Sequence, residues 1–172
     1  MIRKATAADI DAVFKIYSDT HTFEEEGKLQ IGWIRELYPT RETAENALFR
    51  NDLFVLEQGG EILGAAIINQ LQVEEYYDAK WHYPAVDNEV MVLHTLVISP
   101  FHSGKGLGRA FVDFYENYAL DKGCKYLRMD TNERNLAARV LYKKLGFSEC
   151  DIIPCSFNGI NGVRLVLLEK KL

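Results

Sequence analysis

The chain has 172 residues, of which 48% are hydrophobic and 26% are charged, and its formal net charge is −5. This length suits one domain with its own hydrophobic core, and the composition argues against a disordered chain. The negative charge argues against a nucleic-acid partner. No apolar run approaches the ~20 residues of a membrane span, and the N-terminus lacks a signal-peptide core, so we expect a soluble, cytoplasmic protein.

The cysteines and histidines predict no metal site. Cys124, Cys150 and Cys155 form no C-x-x-C pair, and the spacing of the four histidines is not typical of zinc ligands. We therefore expect three reduced thiols.

The N-terminal third predicts a strand followed by two helices. Residues 1–4 favour a short strand, and Thr6 with Asp9 is typical of a helix N-terminus. The spacing of the following apolar residues predicts a helix with Ile10, Val13, Phe14 and Tyr17 on its inner face. Residues 40–50 predict the second helix.

Two β-rich runs follow, at residues 52–58 and 61–69, and the Gly59-Gly60 pair between them predicts a hairpin. Residues 71–88 are both acidic and aromatic and include Pro84. Aromatic faces and negative charge suit a cationic amine, but they equally suit a lid or a homodimer interface.

The stretch from Val90 to Arg109 predicts a strand, a glycine loop and a helix. Residues 90–98 are almost continuously apolar and rich in β-branched residues, which is typical of a strand buried on both faces. Gly104, Gly106 and Gly108 follow at alternate positions, before a strongly amphipathic helix predicted over residues 104–122. This arrangement presents unpaired amides to a phosphate group.

Two familiar phosphate-binding motifs fit this loop poorly. A P-loop requires glycine where Ser99 stands, and it requires Ser or Thr directly after the Lys, where Gly106 stands. A dinucleotide fingerprint requires a third small residue, where Arg109 or Phe111 stands, depending on the register.

The C-terminal third predicts three more strands and one helix. Residues 125–130 alternate as a strand, parallel to 90–98 because a helix joins the two. Asn132 or Asn135 caps the next helix, and Gly146 ends it. Residues 147–154 and 163–169 predict the last strands, with Asn158-Gly159 and Asn161-Gly162 turning between them.

Two motifs together resemble the GNAT family of acyl-CoA-dependent N-acetyltransferases. The family's loop reads Arg/Gln-x-x-Gly-x-Gly/Ala, and here Ser103, Gly106 and Gly108 occupy it, so the glycines match and the first position departs. The family's second motif, Asn-x-x-Ala-x-x-Leu-Tyr-x-x-x-Gly-Phe, is matched at every named position from Asn135 to Phe147.

The resemblance implies one domain over residues 1–172 with an α/β (α+β) fold. Its sheet would be mixed and mostly antiparallel, with about six or seven strands, about four flanking helices and one splayed parallel strand pair. It also implies that acetyl-CoA is the cofactor, with its pantetheine arm along the backbone of Leu96, Val97 and Ile98. The remaining expected cofactor contacts are Ser103, Gly104, Lys105, Gly106, Leu107, Gly108, Arg109, Asn135, Ala138 and Tyr142.

The resemblance also suggests catalytic roles. Tyr142 occupies the family's tyrosine position, where a protonated phenol donates toward the CoA sulfur. His94 stands where the serotonin-type acetyltransferases carry a histidine, and it is one candidate for the base. Glu89 is its rival, and a water chain is the third alternative.

The predicted activity is transfer of an acetyl group to a primary amine of a small molecule, or to an amine of a peptide or protein. Candidate acceptor-binding residues are Phe23, Trp33, Tyr76, Tyr77 and Trp81. The alternative function is a non-enzymatic CoA-binding sensor with the same fold.

Overall fold

A computed structural model describes residues 1–172, which form one seven-stranded sheet and four α-helices. The helices are α1 (Ile10–Glu25), α2 (Arg41–Phe49), α3 (Leu107–Asp121) and α4 (Leu136–Lys144). The strands are β1 (Ile2–Lys4), β2 (Leu53–Gln58), β3 (Glu61–Asn69), β4 (Val90–Ile98), β5 (Tyr126–Asn132), β6 (Ser148–Phe157) and β7 (Ile160–Lys171). None of the helices is long and apolar enough to cross a membrane.

The strand order is β1-β2-β3-β4-β5-β7-β6, and every neighbouring pair is antiparallel except β4 and β5. The predicted mixed sheet with one parallel pair is therefore confirmed. β4 has the predicted bounds, because its apolar run is covered on both faces and stops at Ser99 and Pro100.

Two predicted boundaries were wrong. Helix α3 begins at Leu107, because Gly104 and Gly106 have φ angles of 75° and 78° and so remain outside the helix. Asn161 and Gly162 lie within β7, and the hairpin turns at Asn158 and Gly159.

Helices cover both faces of the sheet. Helices α3 and α4 pack on one face through Phe111, Tyr115 and Tyr142. Helices α1 and α2 pack on the other face over β2 and β3, through residues such as Val13 and Ala44. The loop between β3 and β4, residues 70–89, continues that second face over β4, β5 and β7. The inner strands β2, β3, β4, β5 and β7 are thus covered on both faces.

The parallel pair separates halfway along β4. Residues 90–93 of β4 pair with residues 126–129 of β5, and pairing ends there. The hydroxyl of Tyr115 joins the two strands just before they part, with its oxygen 2.6 Å from the carbonyl oxygen of Met91 and 3.1 Å from that of Arg128. A β-bulge then turns β4 away from β5, and Thr95 within it has a φ of 50°. The expected splayed strand pair is therefore present.

Candidate active site

A cavity of about 350 Å³ occupies the gap between the separated strands. Tyr142, from the α3–α4 face, and Trp33, from the opposite face, both line it, so it passes through the sheet. The loop between α1 and α2, residues 26–40, and the β6–β7 hairpin line it on the second face. Its polar lining consists chiefly of His94, Thr95, Asp130, Thr131, Asn132, Asn135, Tyr38, Tyr142 and Asn158.

The glycine loop leads into this cavity with free amides. None of the backbone N–H groups of residues 103–109 donates a hydrogen bond within the protein. A Cβ added at Gly104 or Gly106 would meet no protein atom within 4 Å, so a ligand can approach the backbone there. These amides lie at the N-terminus of α3, where the helix dipole also favours an anion. The loop therefore fits a pyrophosphate.

The side chains of the loop contribute less than its backbone. The hydroxyl of Ser103 donates to the carbonyl of Pro100, 3.2 Å away, and Arg109 lies 3.8 Å from Asp113. Lys105 is exposed, and Leu107 packs partly against the core. The hydroxyl of Ser103, at the departing motif position, thus bonds within its own loop, which leaves the backbone amides as the groups that could bind a phosphate.

The end of β4 offers a backbone edge on the cavity side. Val97 and Ile98 pair with Ala65 and Gly64 of β3, while their other edge faces the gap left by β5. The side chains of Leu96 and Ile98 line the cavity, and that of Val97 is buried beneath α1 and α2. The pantetheine amides of a CoA molecule could pair with this free edge as a strand would.

Helix α4 presents Tyr142 to the cavity. Asn135 caps the helix by accepting a hydrogen bond of 3.2 Å from the amide of Ala138, and all three residues line the cavity. The hydroxyl of Tyr142 makes no hydrogen bond within the protein, and Tyr142 is only 7% exposed. Burial raises the pKa of Tyr142, so its phenol is protonated at neutral pH.

His94 lies in the cavity wall but is held by other groups. Its Nε2 lies 3.0 Å from Oδ1 of Asn69, and the Nδ2 of Asn69 donates to Asp52 at 2.8 Å. Because the amide of Leu71 also donates to that Oδ1, the oxygen faces His94 and Nε2 carries the proton. Burial lowers the pKa of His94 to about 4, so the imidazole is neutral and weakly basic.

Asp130, which no sequence pattern had indicated, is the only carboxylate among the residues lining the cavity. It is the first residue of β5 beyond the pairing with β4, and its Oδ2 accepts a 2.7 Å hydrogen bond from the hydroxyl of Tyr76. Burial raises the pKa of Asp130 to about 6. An acidic residue at the end of a strand pattern usually marks the surface, and only the register of β5 against β4 brings Asp130 into the cavity.

The other predicted catalytic and acceptor residues are dispersed. Trp33 lines the cavity, whereas Phe23 packs against Phe101 with ring centroids 5.3 Å apart, outside it. Glu89 lies before β4, at the end opposite the separated strands, and does not line the cavity.

The aromatic residues of the β3–β4 loop have separate environments. Tyr76 is buried and reaches Asp130, while Tyr77 is 64% exposed. Trp81 packs over the guanidinium of Arg128, 4.2 Å from its ring centroid. The loop is therefore part of the core over β5. Val73 within it lines the cavity, and Tyr76 reaches the lining through its hydrogen bond to Asp130.

Three potential metal ligands lie together on the far side of this loop. Donor atoms of His82, Cys150 and Glu169 lie within 4.8 Å of one another. Both oxygens of Glu169 already accept hydrogen bonds, from Arg128 and from the amides of His82 and Tyr83. The carboxylate thus belongs to a buried ion pair.

Comparison with known proteins agrees with this geometry. Residues 10–147 match the model of the "Acetyltransferase (GNAT) family". A streptothricin acetyltransferase from Streptomyces lavendulae is 25% identical over 72 residues, which are 42% of this chain and 38% of that protein. The chain spans less than two thirds of the length of the curated relatives that it matches.

Solved structures share the fold over the whole chain. The ribosomal-protein-alanine N-acetyltransferase from Brucella melitensis has a TM-score of 0.73 at 20% identity, with 100% of this chain and 99% of that chain covered. The structure of yncA from Salmonella typhimurium "with its cofactor Acetyl-CoA" has a TM-score of 0.71 at 19% identity, covering 100% and 93% of the two chains.

The chain belongs to the GNAT acetyltransferase family, because the family model spans most of its length.

Proposed function

We propose that this protein transfers the acetyl group of acetyl-CoA to a primary amine of a small molecule. One observation carries the proposal: a single cavity joins Gly108 of the free-amide loop to the unbonded phenol of Tyr142, through the gap between β4 and β5. A diphosphate group and a reacting thioester at the two ends of one extended cofactor would need this arrangement.

The glycine loop, the end of β4 and Tyr142 would have different roles in the proposed reaction. Bound acetyl-CoA would supply an acetyl group activated as a thioester. The amides of residues 103–109 would bind its pyrophosphate, and the free edge of β4 would orient the pantetheine amides. Tyr142 would protonate the departing sulfur, because its phenol keeps its proton at neutral pH and has no competing partner.

The limited volume of the cavity and the loop that lines it favour a small acceptor over a protein segment. The α1–α2 loop is fixed over the opening by Glu24, whose oxygens accept hydrogen bonds of 2.7 and 2.8 Å from the amides of Ile31 and Gly32. The whole cavity has a volume of about 350 Å³, and the acceptor would occupy only the part of it beside the acetyl group. Streptothricin acetyltransferases among the relatives are named for a small-molecule substrate.

The direct test is release of free thiol from acetyl-CoA in the presence of a panel of polyamines, amino acids and aminoglycosides. The proposal expects thiol release that depends on one class of amine, with an N-acetylated product of matching mass. Binding of CoA without thiol release across the panel would support the non-enzymatic sensor instead. Failure to bind CoA at millimolar concentration would refute both functions.

Replacement of Gly106 by alanine is expected to weaken CoA binding by roughly tenfold, about 1.4 kcal/mol, because a side chain disfavours the φ of 78° that aligns the loop amides. Isothermal titration calorimetry with CoA measures this change. Gly59→Ala is the matched control, since Gly59 has a φ of 62° in the β2–β3 turn and is also free of nearby atoms. Equal CoA affinity in both variants would contradict a role for the loop amides.

A further inference from the structure

We infer that Asp130 binds the ammonium group of the acceptor and then acts as the general base of the reaction. The inference rests on the proposed acetyl transfer and assigns the base within it. The sequence suggested His94 and Glu89 as the base. Glu89 does not line the cavity, and His94 is a weaker base than Asp130.

The position of Asp130 follows from the sheet register. Met129 is the last residue of β5 that pairs with β4, so the strands open at the next position. Leu127 and Met129 face α3 and α4, and alternation along the strand places Asp130 toward the opposite face. The carboxylate therefore lies on the acceptor side of the gap, in the cavity that Tyr142 enters from the cofactor side.

The surroundings of Asp130 leave its charge without a basic partner. It takes part in no salt bridge, and its one hydrogen bond within the protein comes from the hydroxyl of Tyr76, at 2.7 Å. The titratable groups that face it or share the cavity are Tyr76 and Glu75 of the β3–β4 loop, Tyr38 of the α1–α2 loop, His94 of β4, Tyr142 of α4 and Cys155 of β6. None of these carries a positive charge at neutral pH, so an incoming ammonium would be the first cation to meet the carboxylate.

The lining around Asp130 suits a compact cation. Trp33 and Tyr38 line the same cavity with their rings perpendicular, and their centroids lie 6.1 Å apart. Aromatic faces attract a cation, and one carboxylate offers it one ion pair. We therefore assign the acceptor class as a primary alkylamine that enters as its ammonium ion.

Basicity favours Asp130 over His94. A general base works best when its pKa lies near the operating pH. Burial raises the pKa of Asp130 to about 6, whereas burial lowers that of His94 to about 4. The Nε2 proton of His94 is also directed at Asn69, so His94 is better suited to hold the wall of the cavity than to move protons.

Asp130 and Tyr142 together account for every proton transferred in the reaction. The bound ammonium gives one proton to the Asp130 carboxylate, which releases it to solvent, and the free amine nitrogen forms the bond to the acetyl carbon. The nitrogen loses its second proton as the carbon–sulfur bond breaks. Tyr142 gives its own proton to the leaving sulfur and is reprotonated by that second proton through Asp130. The products are an amide, a thiol and one proton.

The test compares the pH profile of kcat/KM in the wild type and in Asp130→Asn, using the amine that gives the fastest thiol release in the panel. In the wild type we expect kcat/KM to fall about tenfold per pH unit below about pH 6, because protonation removes the base. In Asp130→Asn we expect a loss of at least about 100-fold and no such limb. His94→Gln is the matched control, and it should keep the limb near pH 6.

A second variant probes the hydrogen bond from Tyr76. That bond stabilises the charged carboxylate and so lowers the pKa of Asp130. Tyr76→Phe should therefore shift the acid limb to higher pH while the plateau rate above it stays within a few-fold of wild type. A purely structural role for Tyr76 would change the rate at all pH values without moving the limb.

The outcomes separate this inference from the proposed function. Wild-type activity with an unchanged limb in Asp130→Asn, or a limb lost in His94→Gln, would overturn the role of Asp130 and leave the acetyltransferase intact. If no amine supports thiol release, the proposed function fails. The carboxyl can then still be titrated by wild-type minus Asp130→Asn difference infrared spectroscopy. Titration near pH 4 in that experiment would overturn the assignment on its own.

Discussion

Tyr142→Phe is expected to lower kcat by about 100-fold while the dissociation constant for CoA changes less than about threefold. The variant removes only the hydroxyl, which makes no hydrogen bond within the protein, so no internal partner is left unsatisfied. The ring would keep its edge contact with Phe147, whose centroid is 6.1 Å away. The loss should thus appear in the chemical step and not in folding.

The measurements are steady-state kinetics, CoA titration calorimetry and thermal unfolding of the same preparations. Tyr115→Phe is the matched control, since the hydroxyl of Tyr115 lies between β4 and β5 rather than in the cavity. It should cost about 1–2 kcal/mol of stability and leave kcat within a few-fold of wild type. If the Tyr142 variant turns over at the wild-type rate, the phenol is not the acid.

The buried carboxylate of Asp130 is also expected to lower the stability of the folded protein at neutral pH. The folded state raises the pKa of Asp130 from its ordinary 3.8 to about 6, so the folded protein loses stability as the pH rises from about 4 to about 6. Asp130→Asn should remove this penalty and stabilise the protein at pH 7 by up to about 3 kcal/mol. A more stable but inactive variant, seen by urea unfolding at pH 4 and pH 7, would fit a functional carboxylate kept at the expense of stability.

Local patterns in the sequence were sufficient to predict the elements to which we assign cofactor binding. The run at residues 90–98 and the glycines that follow encode strand, loop and helix through neighbouring residues, and the Asn135 cap lies within its own helix. The acceptor side depends on contacts between distant residues. Asp130 and Tyr76 are 54 positions apart, and no periodicity links them.

The aromatic residues of the β3–β4 loop illustrate the same limit. Their composition suited an amine pocket, a lid or a dimer interface equally, and in the structure Trp81 covers Arg128, 47 positions away in the chain. The composition of a loop indicates which ligands it suits, yet its partners within the protein decide which side chains remain free. Here Val73 is the one residue of the loop that lines the cavity, and Tyr76 contacts the lining only through its hydrogen bond to Asp130.

Arg128→Ala is expected to destabilise the protein by about 3–5 kcal/mol, because it leaves the carboxylate of Glu169 buried without its cation. The two side chains are 5% and 0% exposed, with Arg128 and Glu169 3.0 Å apart. The guanidinium also donates to Gln72 at 2.7 Å and to the carbonyl of Tyr83 at 3.1 Å, so its loss frees the β3–β4 loop.

Urea unfolding measures this effect, and Arg164→Ala is the matched control. Arg164 lies 2.6 Å from Glu133, but its side chain is 54% exposed, so we expect a loss below about 1 kcal/mol. The double variant Arg128→Met with Glu169→Leu should recover much of the stability, because no buried charge then lacks a partner. Since Tyr76 lies in the freed loop, Arg128→Ala should also alter the acid limb of the pH profile. If the Arg128→Ala variant were as stable as wild type, the ion pair would not be what holds the loop.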